Sequence, residues 1–374
     1  MVPISGHKWG ENGAVHRLGV IVAMAATLAA PAGAGVPARA VPASPSPVAP
    51  DRLCTFDDPR VVELSGLVAT ATGYVAINDG NDDPDAIRIF YFDRACALTR
   101  TVGYPTVPRD PEDLALAPDG TLWVADIGDN ASNGADHRRE TIALWRLAPG
   151  GVSPPVLHRL SYPDGPHDAE TLLLNGDGSP VIVTKELSGT SGIYVPSGPL
   201  QPNATVALRK VGTFTPKRTG TANFLGLIGQ VLVTGGGQAP DGTRVVLRTY
   251  SDAYEFDVAD SDVVRAITTG TPRITALPDE PQGESIAYTP DGAGLLTVSD
   301  ATGATPLLRY PSLRPRPSAG TASGSAVAQW LSAGQAGYLV AAAVGLVLLM
   351  VAAAALVIRR SRPDRPAQPP RRLS

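Results

Sequence analysis

Cysteine is nearly absent: Cys54 and Cys96 are the two in a chain of 374 residues. That leaves no room for a disulfide-dense scaffold. An isolated pair suits a disulfide in an exported chain better than a metal site or a nucleophile, with two separate buried thiols as the alternative. Histidine is also scarce, at five residues. His7 and His16 fall in the leader described below, and His158 falls in an outer strand-like run and reads as structural. His137 and His167 remain as candidate general bases, against solvated loop histidines as the alternative. The sequence has no GxSxG elbow, no phosphate-binding Walker loop, no HExxH and no GxGxxG followed by an acid, so the common nucleophile, nucleotide and zinc-protease signatures are missing. Aromatic residues (5%) and charged residues (18%) are few, whereas Gly (39) and Pro (36) are abundant. This mix fits many short strands joined by turns and speaks against a helical bundle.

The net charge of −4 conceals an uneven distribution. Setting aside the eight basic and two acidic residues of the two ends leaves 23 basic against 33 acidic groups, a net of −10 in the middle. Such a body repels nucleic acid and attracts cations.

The ends read as targeting and anchoring segments. Residues 1–34 have a polar, basic start to His16-Arg17, an apolar run Leu18–Ala30, and Ala32-Gly33-Ala34 as a small-residue cleavage site, which is the pattern of a signal peptide. Residues 35–50 form a Pro/Ala-rich linker and 311–337 a stalk. Tyr338–Ile358 carries no charge over its length and meets the ~20 residues a helix needs to cross a bilayer. Arg359, Arg360 and Arg362 follow, which puts the tail 359–374 in the cytoplasm. The expectation is a single-pass cell-membrane protein whose body, 51–310, lies outside the cytoplasm.

That body repeats itself. An acid opens an apolar run, a Pro-Asp-Gly or Asn-Gly-Asp-Gly turn follows, and a second apolar run ends in polar groups. Glu112 precedes Pro118 by six residues, Glu170 precedes Gly176 by six and Glu284 precedes Pro290 by six, while Thr234 holds that place before Pro240. A looser copy starts at Glu63. The steps are 49 residues from Glu63 to Glu112, 58 from Glu112 to Glu170 and 114, or twice 57, from Glu170 to Glu284. Each unit has four strand-like runs except the last, which has three. Four-stranded units at this period predict an all-β fold, a β-propeller of five blades. The segment around Leu53–Val62 would supply the missing strand. Six blades follow if Phe214–Gln230 holds a degenerate strand pair, and a β-sandwich is the alternative architecture.

In a propeller the first strand of each blade lines the channel and the second returns beside it. The starts Glu63, Glu112, Glu170 and Glu284 should then meet the ends Asn78, Asp79, Asp126, Lys185, Glu186, Arg248 and Asp300 at one rim. Clustered carboxylates must be protonated, hydrogen-bonded or neutralised by a cation. Oxygen ligands with little histidine suit Ca²⁺, with Mg²⁺ second, and not zinc. Glu63, Asp79, Glu112, Asp126, Glu170 and Glu284 are the candidate ligands. The alternative has the glutamates accept backbone N–H bonds from neighbouring blades. Asp79, Asn81, Asp83 and Asp85 alternate as in a calcium loop, but Pro84 and Phe90 stand where an EF-hand needs glycine and glutamate. Asn78, Lys185, Glu186, Arg248 and Asp300 are candidate ligand-binding residues. Lys185 and Arg248 either hold an anion beside a metal or pair with glutamates.

The phrases ELSGLVA, PEDLALAPDGTLWVADIGDN, YPDGPHDAETLLL, VTGGG and QGESIAYTPDG together resemble secreted and membrane-anchored bacterial β-propeller proteins over roughly Cys54–Pro311. More distantly, EDLA and DGTLWVAD are similar to repeats of β-propeller phytases and of calcium-dependent lactonase propellers. The phytase likeness implies Ca²⁺ on channel acids and a phosphate ester as substrate. The expected function is a ligand- or partner-binding propeller with a divalent-cation rim, the partner being an envelope protein or a small anion. A metal-dependent hydrolase and a surface scaffold without small ligand are the alternatives.

Overall fold

The computed structural model describes residues 49–81, 83–129 and 138–313. The leader, most of the linker, the stalk beyond residue 313, the 338–358 segment, the basic tail and His137 lie outside the described residues. Among the described residues no helix is long and apolar enough to cross a membrane.

Among the described residues twenty strands form five four-stranded antiparallel units, two of which are joined into one eight-stranded sheet by a parallel pairing of Thr205–Ala207 with Arg159–Ser161. Blade 1 comprises β2 (Leu64–Ala69), β3 (Gly73–Asn78), β4 (Ile89–Asp93) and β5 (Leu98–Val102). Blade 2 comprises β6 (Pro111–Leu116), β7 (Leu122–Asp126), β8 (Ile142–Leu147) and β9 (Val156–Ser161). Blade 3 comprises β10 (Ala169–Leu174), β11 (Pro180–Thr184), β12 (Ser191–Pro196) and β13 (Thr205–Phe214). Blade 4 comprises β14 (Val233–Gln238), β15 (Arg244–Thr249), β16 (Asp252–Asp257) and β17 (Arg273–Ala276), with the short helix α1 (Val263–Thr269) between its outer strands. Blade 5 comprises β18 (Gly283–Tyr288), β19 (Gly294–Ser299), β20 (Thr305–Pro311) and, at its outer edge, β1 (Asp51–Phe56). The first strand of the described chain thus pairs with the last and locks the ring. The Cys54–Cys96 disulfide ties β1 to the turn before β5, as the pairing of two lone cysteines predicts.

Five apolar slabs, one per blade interface, establish the closure. Alternation along each strand feeds two slabs at once. In β11, Val181 and Val183 face Val245 and Leu247 of blade 4, while Ile182 faces Trp123 and Leu144 of blade 2. The last slab joins Phe56, Leu67 and Phe90 to Leu296, Val298 and Leu307, so blade 5 returns to blade 1. Consecutive inner strands β2, β6, β10, β14 and β18 are neighbours, and β18 neighbours β2. This is a five-bladed propeller. Residues 215–232 are turns and irregular backbone with no strand pair, so the six-bladed count is excluded among the described residues.

Each inner hairpin carries one β-bulge at the same point. The ladder skips a residue between Leu64 and Gly66, Pro111 and Asp113, Ala169 and Thr171, Val233 and Gly235, and Gly283 and Ser285. The skipped residues are Ser65, Glu112, Glu170, Thr234 and Glu284. Bulges re-aim side chains and recur beside functional sites. This corrects the register of the first copy: Ser65, not Glu63, is the counterpart of Glu112. Glu63 instead stands two residues earlier, level with Asp110 and Asp168, in the left-handed region at φ 51°.

Candidate metal centre

The bulges place Glu112, Glu170 and Glu284 at the hub, all three buried. Two residues before them, Asp110 and Asp168 approach from the blade entries. From the ends of the second strands come Asp79, Lys185 and Asp300, whose backbone N–H groups bond the carbonyls of Glu63, Asp168 and Gln282 respectively. In blade 2 that bond is made by Gly128 to Asp110. A Cβ on Gly128 would lie 2.1 Å from Glu112 Oε1 and 2.5 Å from Asp110 Oδ2, so glycine there makes room for carboxylates.

Three overlapping sets of carboxylates bring one oxygen each within 4.8 Å of one another: Asp79, Glu284 and Asp300; Asp79, Asp110 and Glu112; and Glu112, Asp168 and Glu170. Asp79 and Glu112 link the sets into one arc. Lys185 Nζ stands 2.5 Å from Glu170 Oε1 and neutralises one end. Tyr250 occupies the matching rim position of blade 4; its hydroxyl donates to Glu284 Oε1 at 3.2 Å, and Lys185 Nζ lies 5.4 Å from its ring centre. Ser65, the blade 1 counterpart of the glutamates, donates to Glu112 Oε2 at 3.0 Å.

Burial and mutual repulsion raise the carboxyl pKa values throughout this arc. Burial, then Asp110 and Glu170, push Asp79 up to about 8. Burial and Asp168 raise Asp110 to about 6, even with a hydrogen bond from Asp79. Glu170 is raised to about 7, chiefly by burial, with Lys185 pulling the other way. Burial and Glu63 bring Asp300 to about 6. Burial and the surrounding carboxylates hold Glu112 and Glu284 well above the ordinary range. Lys185 is raised: burial opposes its charge, and Glu170, Tyr250 and Glu284 more than offset that.

Among the described residues, Glu170 Oε2 and Glu284 Oε2 are buried without a hydrogen-bond partner. Buried polar atoms left unpaired are costly, and ion binding is among the ordinary reasons for them. An all-oxygen donor set with unsatisfied oxygens fits Ca²⁺ or Mg²⁺. The alternative of backbone capping is realised by a different residue. Asp113 Oδ1 accepts from Leu114 N at 2.8 Å and Oδ2 from Leu172 N at 2.8 Å, with a further bond from Gly236, tying blades 2, 3 and 4.

Several expected residues stand elsewhere. Asp126 lies earlier in the hairpin than the hub position and is engaged by Arg139 Nη1 at 2.8 Å, Trp145 Nε1 at 3.4 Å and the backbone of Arg109 and Asp110. Glu63 accepts from Asn81 Nδ2 at 3.4 Å and belongs to none of the three carboxylate sets. Asn78 braces the blade 1 entry, donating to the carbonyls of Arg60 and Ala86. Arg248 is fully buried between blades 4 and 5, where it bonds Glu280, Ser285 O and Thr249 O and does not reach the rim. Glu186 bonds His167 Nδ1 at 2.8 Å. His167 Nε2 lies 3.2 Å from Asp164 and 3.0 Å from the Tyr194 hydroxyl. Its pKa is raised first by the Glu186 hydrogen bond, then by Asp164, against burial. An imidazole held between two carboxylates is a clamp on the rim of blade 3, beside the hub and outside its carboxylate sets. His158 is buried against Trp123, as expected of a structural histidine. Sequence reasoning missed Asp110 and Asp168, although the spacing Asp-x-Glu recurs at Asp110/Glu112 and Asp168/Glu170.

No family model and no curated protein matches the chain. Among solved structures, a glutaminyl cyclase from Myxococcus xanthus is similar at 12% identity, covering 72% of this chain and 100% of that one, with a TM-score of 0.41. A gluconolactonase from Xanthomonas campestris, XC5397, is similar at 17% identity over 66% of this chain and 72% of that one, TM-score 0.37. The apo soluble aldose sugar dehydrogenase from Escherichia coli is similar at 11% identity over 70% and 99%, TM-score 0.39. The propeller assignment stands on the ring of inner strands and the five interface slabs, and no activity passes from these proteins to this chain.

Proposed function

We infer that the hub holds a divalent cation, Ca²⁺ before Mg²⁺, and that cation and Lys185 together bind an anionic group of a ligand. The observation that carries this reading is the arc of three overlapping carboxylate sets from Asp300 to Glu170; the central set, Asp79, Asp110 and Glu112, shares a member with each of the flanking sets, which hold the unpartnered oxygens of Glu284 and Glu170. Asp79, Asp110 and Glu112 are the favoured ligands, because Lys185 already pairs with Glu170 of the neighbouring set and, among the described residues, the central set has no cation in contact with it. The cation would neutralise the arc and leave open coordination for a carboxylate or phosphate oxygen. The same reading keeps the ring outside the cytoplasm, displayed from the cell membrane by the 338–358 segment. The Cys54–Cys96 disulfide supports an oxidising compartment.

A second reading, a metal-dependent hydrolase of phosphate esters or lactones, is supported by one observation. Asp110 at about 6 and Glu170 at about 7 titrate near neutrality, where a general base is most effective. In that role a carboxylate would take the proton of a water as it attacks the carbonyl carbon or phosphorus, and would return it to the alcohol oxygen as the C–O or P–O bond breaks.

Calcium titration of the full-length chain tests the first reading. Glu112→Gln is expected to lower affinity at least ~10-fold, since one charged ligand of a cation site is lost. Glu186→Gln, outside the carboxylate sets, should leave affinity unchanged. Equal affinities for Glu112→Gln and the parent chain would sink the assignment. Turnover of a phosphomonoester or lactone that disappears in Glu112→Gln would establish the second reading on the same site.

A further inference from the structure

The rim above the hub carries an apolar feature that cation binding does not use. The loop entering blade 4 exposes Phe224 (52%), Leu225, Leu227 (64%) and Ile228 within five residues. Leu187, exposed at 71%, follows Lys185 and Glu186 directly, on the turn closed by Gly189 N–H to Glu186 O. That turn packs against Val231, the end of the same loop: a Cβ at Gly189 would lie 3.0 Å from Val231 Cγ2. Exposed large apolar side chains in such density mark a binding surface.

This surface is continuous with the hub. The Phe224 ring meets the Tyr250 ring edge-on at 5.1 Å, and Tyr250 is the residue whose hydroxyl bonds Glu284 and whose ring faces Lys185. The loop is also held in place: Asn223 Nδ2 bonds Ser251 Oγ at 2.8 Å and Gly226 O at 2.9 Å, and Asp279 N bonds Ala222 O at 3.2 Å. A braced apolar wall thus starts where the polar site ends.

We propose that the ligand is an amphiphilic anion whose carboxylate or phosphate head sits at the cation and Lys185 and whose unbranched acyl or alkyl tail lies along Leu187, Phe224, Leu227 and Ile228. The proposal rests on the cation-site reading above and adds the tail. A bilayer is the competing occupant of such side chains. The acidic balance of the body disfavours an anionic membrane surface, and the same charge, once the cation is bound, is compatible with a single headgroup.

The test titrates ethyl, butyl and hexyl phosphate into the full-length chain in lipid nanodiscs with calcium present. Each methylene buried on the wall should tighten binding by about fourfold. Leu227→Ser combined with Ile228→Ser, at exposed positions outside the carboxylate sets, should abolish that increase while calcium and ethyl phosphate bind as before. Affinity independent of tail length overturns the proposal and leaves the cation site intact. A tail-length dependence that persists in the double variant assigns the tail to the disc lipid and overturns it equally. Failure of ethyl phosphate to bind calcium-loaded protein counts against the anion-binding site itself.

Discussion

With divalent ions removed, the melting temperature is expected to fall by about 5–10 °C between pH 5 and pH 8, and saturating calcium should abolish the fall. Asp110 and Asp300 are raised to about 6, Glu170 to about 7 and Asp79 to about 8. Each of these carboxyls holds its proton more tightly in the folded ring than in the unfolded chain. The stability they contribute is therefore complete below the unfolded carboxyl range near 4. It is lost as pH rises through the folded values, because the native arc must then either carry unneutralised charge or keep protons that the unfolded chain gives up. A bound cation replaces those protons. At a concentration of ~100 times Kd, it adds about 2.7 kcal/mol, or roughly 5–10 °C for a domain of this size. Asp79→Asn should flatten the metal-free pH profile, since it removes a carboxyl that burial and its acidic neighbours raise to about 8. Calorimetric melts at four pH values, with chelator and with calcium, decide the matter; a metal-free profile that rises from pH 5 to 8 would contradict it.

Arg248→Ala is expected to cost about 3–5 kcal/mol of folding stability, the usual penalty for breaking a buried ion pair and leaving the partner charge unpaired. Arg248 has 0% exposure, and its guanidinium reaches Glu280 Oε2 at 3.1 Å, Ser285 O at 3.0 Å and Thr249 O at 3.2 Å. A Cβ on Gly283 would fall 1.9 Å from Nη2, so the backbone of blade 5 is fitted to this side chain. Glu280 Oε1 in turn accepts from Thr297 at 2.7 Å. Removing Arg248 thus leaves Glu280 Oε2 and the carbonyls of Ser285 and Thr249 without this donor between two blades. The companion Arg248→Met with Glu280→Gln should recover much of the loss, because the unpaired charge is gone. Denaturant unfolding measures both; a loss below about 1 kcal/mol for Arg248→Ala would return the arginine to the rim as a ligand residue.

The propeller was legible because its turns are chemical. Pro118-Asp119-Gly120, Pro240-Asp241-Gly242 and Pro290-Asp291-Gly292 mark the same reversal three times, with Gly120, Gly242 and Gly292 in the positive-φ region that favours glycine. Blade 1 has Ala71-Thr72-Gly73 there, without that signature, so counting from Glu63 misplaced its register by two residues. The bulges explain the remaining errors. Alternation of apolar and polar side chains carries no mark of a skipped residue, and one skipped residue decides whether a side chain faces the hub or a blade interface. Asp126 and Arg248 were assigned to the rim for this reason, while Gly128 and Tyr250 stand nearer those places. Glu112, Glu170 and Glu284 kept their places because the turn that follows each of them fixes the count. Asp113 was unreadable as a cap: its partners Leu172 and Gly236 lie in other blades, and only ring closure brings them to it. The helix α1 was missed because it is a single short element inserted between strands of blade 4.

The cation at the hub is tested most directly by anomalous diffraction from crystals of the protein grown with Mn²⁺ as a stand-in for Ca²⁺. One anomalous peak bounded by carboxylate oxygens of Asp79, Asp110 and Glu112 is the predicted result. A hub without a peak at millimolar Mn²⁺ and pH 8, with those carboxylates in their present positions, would contradict it.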